Sequence, residues 1–242
     1  MYGLDSLNTL VVFRAARPDL VTRTTAVTGL PAGEHLVGID FRPADGRLYG
    51  LGTGSRLYLM DTTSGAATPL GAAMFVPALV GTAFAVDFDP VADQLHVMSD
   101  SGQNLRLDPL TDTVVGVDTV LAYASGDLHD GAAPVIAGAA YTNSTASATT
   151  TALYGIDAGL ATLVTVPVPN SGQLTTVASL GVPTTTAVGL DIDGVTGIGY
   201  LTLTAPTGGA SRLYAITLVN RAVTVTGAVG HAVPLLGITV HP

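Results

Sequence analysis

The amino-acid sequence predicts an all-β protein, a five-bladed β-propeller built of four-stranded antiparallel blades. Three observations lead to this fold class: a Gly-x-Asp-Phe-like stretch that recurs about every 50 residues, four short strand-like runs after each recurrence, and no apolar pattern at helical spacing. A period near 50 residues with four strands in each unit is typical of propeller blades.

Five related stretches mark the starts of the repeat: Gly38-Ile-Asp-Phe, Ala85-Val-Asp-Phe, Gly138-Ala-Ala-Tyr, Gly189-Leu-Asp-Ile and Gly237-Ile-Thr-Val. Each of the first four is followed by runs rich in β-branched and aromatic residues, which favour strands. Dipeptides such as Asp45-Gly46 and Asp89-Pro90 supply the turns between them. The predicted blades span residues 38–84, 85–137, 138–188 and 189–236, within one domain that covers 1–242.

The fifth blade needs both ends of the sequence. The stretch beginning at Gly237 supplies only a first strand, and three further strand-like runs lie near the other terminus, at residues 9–13, 19–25 and 26–30. We therefore predict that residues 237–242 join residues 4–37 in a last blade, with the C-terminal strand innermost. Closure of this kind removes exposed strand edges.

Composition excludes several classes of partner. The net charge of −9 argues against nucleic acid or an anionic membrane surface as a partner, because both need a basic patch. No Cys is present, which excludes disulfides and Cys-bound zinc. Residues 66–86 carry no charge, but they contain Pro and Gly and fall in phase with the repeat, so we expect no membrane insertion. We expect a monomer.

Two neighbouring elements carry a family resemblance: Gly126-Asp-Leu-His-Asp-Gly-Ala-Ala-Pro and Ala139-Ala-Tyr-Thr-Asn-Ser. With the opening stretch VGIDFRPADGRLYGL, they make the chain similar to an uncharacterised family of bacterial propeller-like proteins. The resemblance implies a propeller and, because members are often exported, a secreted or periplasmic location. Residues 1–10 lack the basic and apolar regions of a signal peptide. The resemblance implies no activity.

Carboxylates at the repeat starts form the first candidate site. They occupy the third position of three starts and the position two residues further on in two of them: Asp40, Asp87, Asp89, Asp191 and Asp193. Because first strands of propeller blades line the channel, these groups could hold a metal through oxygen ligands, and Ca²⁺ fits that chemistry. Alternatively they accept backbone N–H groups of neighbouring blades. Ala140 and Thr239 interrupt the series, which favours the structural role.

The second candidate site lies where the repeat is interrupted. The interval from Ala85 to Gly138 is longer than the one before it, and the extra residues include Asp127, His129 and Asp130. Long loops with clustered polar groups often carry function. The imidazole and carboxylates could bind a transition metal or act in acid–base chemistry, or they are ordinary surface residues. Tyr141 and Asn143 complete the predicted ligand-binding set, and a tyrosine could stack on a sugar ring.

The residues leave three functions open. The first is a binding or interaction module with a ligand site at one mouth of the channel, where the ligand is a small molecule, a glycan or a protein. The second is a metal-assisted hydrolase, lyase or isomerase that uses the channel carboxylates. The third is a structural surface protein. Neither a G-x-S-x-G nor a phosphate-binding glycine motif is present, and fold class alone does not select among the three.

Overall fold

The computed structural model describes residues 1–241, and the chain forms 21 β-strands within them. In chain order these are β1 (Tyr2–Asp5), β2 (Thr9–Arg14), β3 (Arg17–Ala26), β4 (Leu36–Arg42), β5 (Arg47–Gly52), β6 (Arg56–Met60), β7 (Ala67–Pro69), β8 (Phe84–Asp89), β9 (Gln94–Ser99), β10 (Asn104–Asp108) and β11 (Thr113–Val117). They continue with β12 (Ala122–Tyr123), β13 (Ile136–Tyr141), β14 (Leu153–Asp157), β15 (Thr162–Val166), β16 (Gln173–Ser179), β17 (Val188–Ile192), β18 (Ile198–Leu203), β19 (Arg212–Thr217), β20 (Ala222–Ala228) and β21 (Leu235–Thr239).

These strands form the five predicted blades. Blade 1 contains β4 to β7, blade 2 contains β8 to β11, blade 4 contains β17 to β20, and blade 5 contains β21 and β1 to β3. Blade 3 contains β13 to β16 and departs from the prediction by a fifth strand, because β12 pairs in parallel with its outermost strand β16. Strand β12 belongs to the connection between blades 2 and 3, and its pairing attaches that connection to the outer edge of blade 3.

Strand pairing between the two ends of the chain closes the ring. Strand β21 lies antiparallel to β1, with Tyr2 opposite Thr239 and Gly3 opposite Ile238. The prediction of a shared last blade is confirmed, but one of its strands was wrong. Residues 27–30 lie beyond the end of β3 and form no strand of their own, because Gly29 adopts a φ of 85° and Thr28 makes only an isolated bridge. The predicted range 237–242 ends at Pro242, which lies outside the described residues.

Glycines at the repeat starts let the inner strands approach closely. A Cβ at Gly38 would lie 2.5 Å from Val86 Cγ2, and one at Gly189 would lie 2.6 Å from the backbone nitrogen of Ile238. Such contacts are too short for a side chain, so only glycine fits. The channel that remains between the inner strands has a volume of about 10 Å³, enough for about one water molecule. An organic ligand therefore cannot bind inside it.

The core is divided among the blade interfaces. Within residues 1–241, one apolar cluster lies between each pair of neighbouring blades. Between blades 1 and 2, for example, Tyr49 and Leu57 pack against Phe88 and Leu105. Burial of this apolar area is the main stabilising term and fixes the blades relative to one another.

The charge-free residues 66–86 form part of this core and its edge. They include β7 and the beginning of β8, joined by a loop in which Phe75 is buried. Among residues 1–241, no helix has the length and apolarity that a membrane crossing would require.

Candidate functional site

Three aspartates meet at the centre of the propeller, and we call Asp40, Asp87 and Asp191 the acid cluster. They lie at equivalent positions of the inner strands β4, β8 and β17, and one carboxylate oxygen from each lies within 4.8 Å of the others. All three are buried. Burial, reinforced by the neighbouring carboxylates, raises the pKa of Asp40 and Asp87 well above the usual range. Burial raises the pKa of Asp191 to about 6.

The acid cluster also fastens blades to one another. Asp40 Oδ2 accepts the N–H of Phe88 at 2.8 Å, and Asp87 Oδ1 accepts that of Tyr141 at 2.9 Å. In each case the donor belongs to the inner strand of the next blade, one residue beyond the equivalent position. These contacts support the structural interpretation of the aspartates, and they leave lone pairs that a cation could share.

The position that the aspartates occupy in three blades is filled by Thr239 in blade 5 and by Ala140 in blade 3. Asp191 Oδ2 accepts the N–H of Val240, while Thr239 Oγ1 donates to Asp40 Oδ1 at 2.8 Å. Ala140 has no side-chain acceptor, and the N–H of Ile192 in the next blade donates instead to Asp191 Oδ1 at 2.6 Å. Three carboxylates, one hydroxyl and one methyl group therefore surround the centre.

Asp89 and Asp193, which the sequence predicted as metal ligands together with the acid cluster, lie apart from it. Asp89 Oδ1 accepts the N–H groups of Val91 and Ala92 at 2.8 and 2.9 Å. Asp193 Oδ1 accepts those of Val195 and Thr196 at 3.0 and 2.8 Å. Both carboxylates thus cap the turn after an inner strand. The five predicted ligands divide into three that meet and two that hold turns.

A cavity of about 300 Å³ opens where the inner strands β8 and β13 end, and we call it the mouth cavity. Its lining comes from blades 2 and 3: Asp89, Val91, Tyr141, Thr149, Thr150, Thr151, Ala152, Leu153, Val166, Pro167 and Pro169. Asp89 and Tyr141 are the last residues of the two strands, so the cavity begins beside the channel mouth. It extends outward between the blades.

A buried polar chain holds the floor and one wall of the mouth cavity. The Tyr141 hydroxyl lies 2.7 Å from His96 Nδ1, and His96 Nε2 lies 2.5 Å from Asn104 Oδ1. Asn104 Nδ2 donates to Pro169 O at 3.1 Å, so its Oδ1 must accept from His96 and the Tyr141 hydroxyl must donate. Burial lowers the pKa of His96, which keeps the imidazole neutral in this chain.

The remaining walls are held by a loop and a turn. Asn143 Nδ2 donates to Thr150 O at 2.9 Å, which ties together the long hairpin loop that brings residues 149–152 to the mouth cavity. From the other side, Arg42 Nε donates to Asp93 Oδ1 at 2.7 Å and so fixes the turn that carries Asp89 and Val91. Asn143 therefore positions the wall that residues 149–152 form.

The other predicted ligand-binding residues lie on the loop before β13. Asp127 accepts the N–H and the hydroxyl of Thr176 at 2.8 and 2.6 Å, and His129 Nδ1 lies 3.0 Å from that hydroxyl. Asp130 Oδ2 accepts the N–H of Gly126 at 2.9 Å. The contacts of Asp127 and His129 attach the loop to β16, and that of Asp130 closes the loop on itself. The predicted set is thus split, with Asp127, His129 and Asp130 before β13, and Tyr141 and Asn143 at or beyond its end.

Comparison with known families identifies the chain. The profile of a domain of unknown function, DUF4394, matches residues 9–239. The chain belongs to the DUF4394 family. The match covers nearly the whole described propeller, from β2 to β21. No curated protein matches the sequence.

Solved structures similar to this DUF4394 protein share its fold at low identity. A protein of unknown function from Bacteroides thetaiotaomicron superposes with a TM-score of 0.55 at 18% identity, over 93% of this chain and 58% of that one. Glutaminyl cyclase from Myxococcus xanthus superposes with a TM-score of 0.52 at 13% identity, over 90% and 82%. The chain thus spans little more than half the length of the Bacteroides protein. At these identities the similarity shows the fold alone.

Sequence reasoning missed most of the mouth cavity in this DUF4394 protein. Residues 149–153 and the prolines Pro167 and Pro169 were not singled out, and Asp89 was assigned to a metal. One signal was available, because the hairpin loop at 142–152 is longer than the equivalent loops at 43–46 and 90–93. A long loop beside a channel mouth is a place to expect function.

Proposed function

We propose that this DUF4394 protein is a binding module whose ligand site is the mouth cavity between blades 2 and 3. The observation that carries the proposal is a cavity of about 300 Å³ at the end of the channel, with mainly apolar walls and a few polar groups. Small-molecule sites are commonly concave, apolar and of about 300–1,000 Å³. A small molecule is therefore the ligand class that this site favours over a folded protein.

Two further observations support the mouth cavity over the channel itself. The channel itself has only about 10 Å³, so a ligand must bind beside it. The walls are held by polar contacts from both blades, including the chain from Tyr141 to Pro169 O and the contact from Asn143 to Thr150 O. Walls fixed in advance lower the entropy lost on binding. An extracytoplasmic location, implied by the family resemblance, belongs to the same proposal.

A fragment screen by ligand-observed NMR tests this proposal with one blocking variant. Val91 is half-exposed at the rim, and Val91→Trp would fill the mouth cavity while its backbone N–H still bonds to Asp89. Val195→Trp is the matched control, because Val195 follows Asp193 in the same kind of turn and lies outside the cavity. We expect fragments to bind the wild type and the control, and not Val91→Trp. Equal binding to all three, or to none, would refute the site.

The acid cluster supports a second candidate function, which is uptake of a divalent cation at the centre of the ring. Three buried carboxylates within 4.8 Å of one another repel when all are ionised, and either a proton or a cation must offset that repulsion. Carboxylate oxygens are the ligands that Ca²⁺ prefers. The bound ion would supply positive charge that joins three blades.

Calorimetric titration with CaCl₂ at pH 7.5 tests the cation. Asp87→Asn keeps an oxygen to accept the N–H of Tyr141 and removes one negative charge. Asp193→Asn is the control, since it changes a turn-capping carboxylate by the same amount. We expect wild type and control to take up Ca²⁺ and Asp87→Asn to bind at least about tenfold more weakly. Absence of heat and of any thermal shift in the wild type would refute cation binding.

A further inference from the structure

Asp89 is a negative charge without a cationic partner on the wall of the mouth cavity. Its Oδ1 caps the turn, and within residues 1–241 it takes part in no ion pair and Oδ2 accepts no hydrogen bond. The positive charge of Arg106 interacts with the negative charge of Asp89 through space, but its guanidinium is paired with another residue. It donates to both oxygens of Asp118, at 2.7 and 3.0 Å. Asp89 can therefore accept a charged donor from a ligand.

The rest of the cavity lining is mainly apolar, and its other polar side chains are Tyr141 and the threonines at 149–151. Val91, Leu153, Val166, Pro167 and Pro169 all line the mouth cavity. The Tyr141 hydroxyl is already bonded to His96, so it offers no donor to a ligand. One unpaired carboxylate set in an apolar wall selects a ligand with one positive group and an apolar body.

We propose that the mouth cavity binds a small organic ammonium ion, with the ammonium group on Asp89 Oδ2 and the apolar body against Val166 and the two prolines. This inference rests on the proposed function and specifies its ligand class. A primary ammonium group donates three hydrogen bonds, which suits a carboxylate better than a quaternary one does. The net charge of −9 favours approach of cations and disfavours carboxylates and phosphates.

The turn that carries Asp89 has a counterpart that makes a matched control. Asp193 in blade 4 caps its turn through the same pair of N–H groups, those two and three residues on, and it does not line the mouth cavity. Asp89→Asn and Asp193→Asn both keep a capping oxygen and lose one charge. A difference between them in ligand binding therefore reports the cavity and not net charge or turn stability.

The experiment compares 2-phenylethylamine with 2-phenylethanol, which has nearly the same shape but a neutral hydroxyl group, by calorimetric or NMR titration at neutral pH. A charge-assisted hydrogen bond contributes more than a neutral one, so we expect the amine to bind about tenfold more tightly than the alcohol. Asp89→Asn should remove this preference, and Asp193→Asn should keep it.

Three outcomes would overturn the ammonium inference, and they differ in what they mean for the binding module. If amine and alcohol bind equally and Val91→Trp blocks both, the cavity binds ligands but Asp89 does not select a cation. If neither probe binds and the fragment screen is also negative, the inference fails together with the proposed function. A preference for the amine that survives Asp89→Asn would also overturn it, because the charge would then be recognised elsewhere.

Discussion

Four of the five blade junctions at the centre of this propeller are of two kinds. At the fifth, from blade 5 to blade 1, Thr239 takes the place of the aspartate and its Oγ1 accepts the N–H of Phe41 at 3.4 Å. At the junctions from blade 1 to 2, from 2 to 3 and from 4 to 5, an aspartate accepts the N–H of the next inner strand. At the junction from blade 3 to 4, Ala140 takes the equivalent position. The N–H of Ile192 donates instead to the side chain of the preceding residue in its own strand, Asp191. Both kinds of junction are closed by an apolar cluster.

The difference between these junctions separates two interactions that hold neighbouring blades together, apolar packing and the aspartate hydrogen bond. Blades 3 and 4 meet through an apolar cluster with no aspartate at this position, so the aspartate is not required for closure at every junction. Where they occur, they satisfy a buried N–H but add a buried negative charge. We infer that a ring of five aspartates would be limited by charge repulsion, and that the alanine and threonine keep the number of carboxylates at three.

The largest effect should come from removing the strand that closes the ring. Deleting residues 235–242 removes β21 and with it the partners of both Asp191 and Asp40 in blade 5, while the Ala140 junction is untouched. Leu235 and Ile238 are also buried. We expect loss of the cooperative thermal transition measured by circular dichroism. A melting temperature equal to that of the full chain would mean that β21 is dispensable for closure.

Asp40→Ala should have the next largest effect. It leaves the N–H of Phe88 and the hydroxyl of Thr239 without their acceptor in a buried site. Unsatisfied buried groups of this kind destabilise by about 1–3 kcal/mol each, so we expect a loss of about 2–4 kcal/mol in urea unfolding.

Asp40→Asn is the control for this loss. The amide oxygen can still accept one of these hydrogens and the charge is gone, so we expect the asparagine variant to retain most of the stability. Equal destabilisation by alanine and asparagine would show that the charge of Asp40, and not its acceptor role, stabilises the junction.

Much of this centre could be predicted from the amino-acid sequence. The recurring Gly-x-Asp-Phe stretch placed the inner strands, and Asp40, Asp87 and Asp191 could be assigned to one ring because a strand position repeats from blade to blade. The role of Asp89 could not be predicted in the same way. Strand alternation puts Asp87 and Asp89 on one face, but the turn after β8 draws the second carboxylate onto its own N–H groups.

The mouth cavity shows why the rest could not be predicted. Its walls come from segments far apart in the chain, such as Val91 and Pro169, and only the packing of blade 2 on blade 3 brings them together. The residues after Gly126 interrupt the repeat, which predicted a functional site there. The polar residues among them hold the loop on Thr176, and local sequence gives no indication of that partner.

The acid cluster should give the metal-free protein an unusual dependence of stability on pH. Burial raises the pKa of Asp191 to about 6, and those of Asp40 and Asp87 are raised as well. A group whose pKa is raised in the folded state contributes stability that is fully present below about pH 4 and is lost as the pH rises through the folded pKa. In the presence of a chelator we therefore expect the melting temperature to fall between pH 5 and pH 8.

The Asp87→Asn variant isolates this contribution. Asp112, whose pKa is also raised to about 6 by burial, acts in the same pH window, so the wild type alone does not identify the group responsible. Asp87→Asn should flatten the fall in melting temperature and Asp193→Asn should not, because the pKa of Asp193 is lowered and its contribution is lost only at more acidic pH. Identical pH profiles of Asp87→Asn and wild type would contradict a coupled cluster.

The smallest and most discriminating effect is expected from Ala140→Asp, which converts the exceptional junction into the common kind. A carboxyl group there would meet the N–H of Ile192, now bonded to Asp191, and would add a fourth acid to the centre. The new hydrogen bond contributes about 0.5–1.5 kcal/mol, whereas repulsion grows as the pH rises. We expect a net change within about 1 kcal/mol at pH 4 and clear destabilisation at pH 8, measured by urea unfolding at both values. Equal stability changes at the two values would mean that charge repulsion does not limit the number of aspartates, and the role assigned to Ala140 would then be wrong.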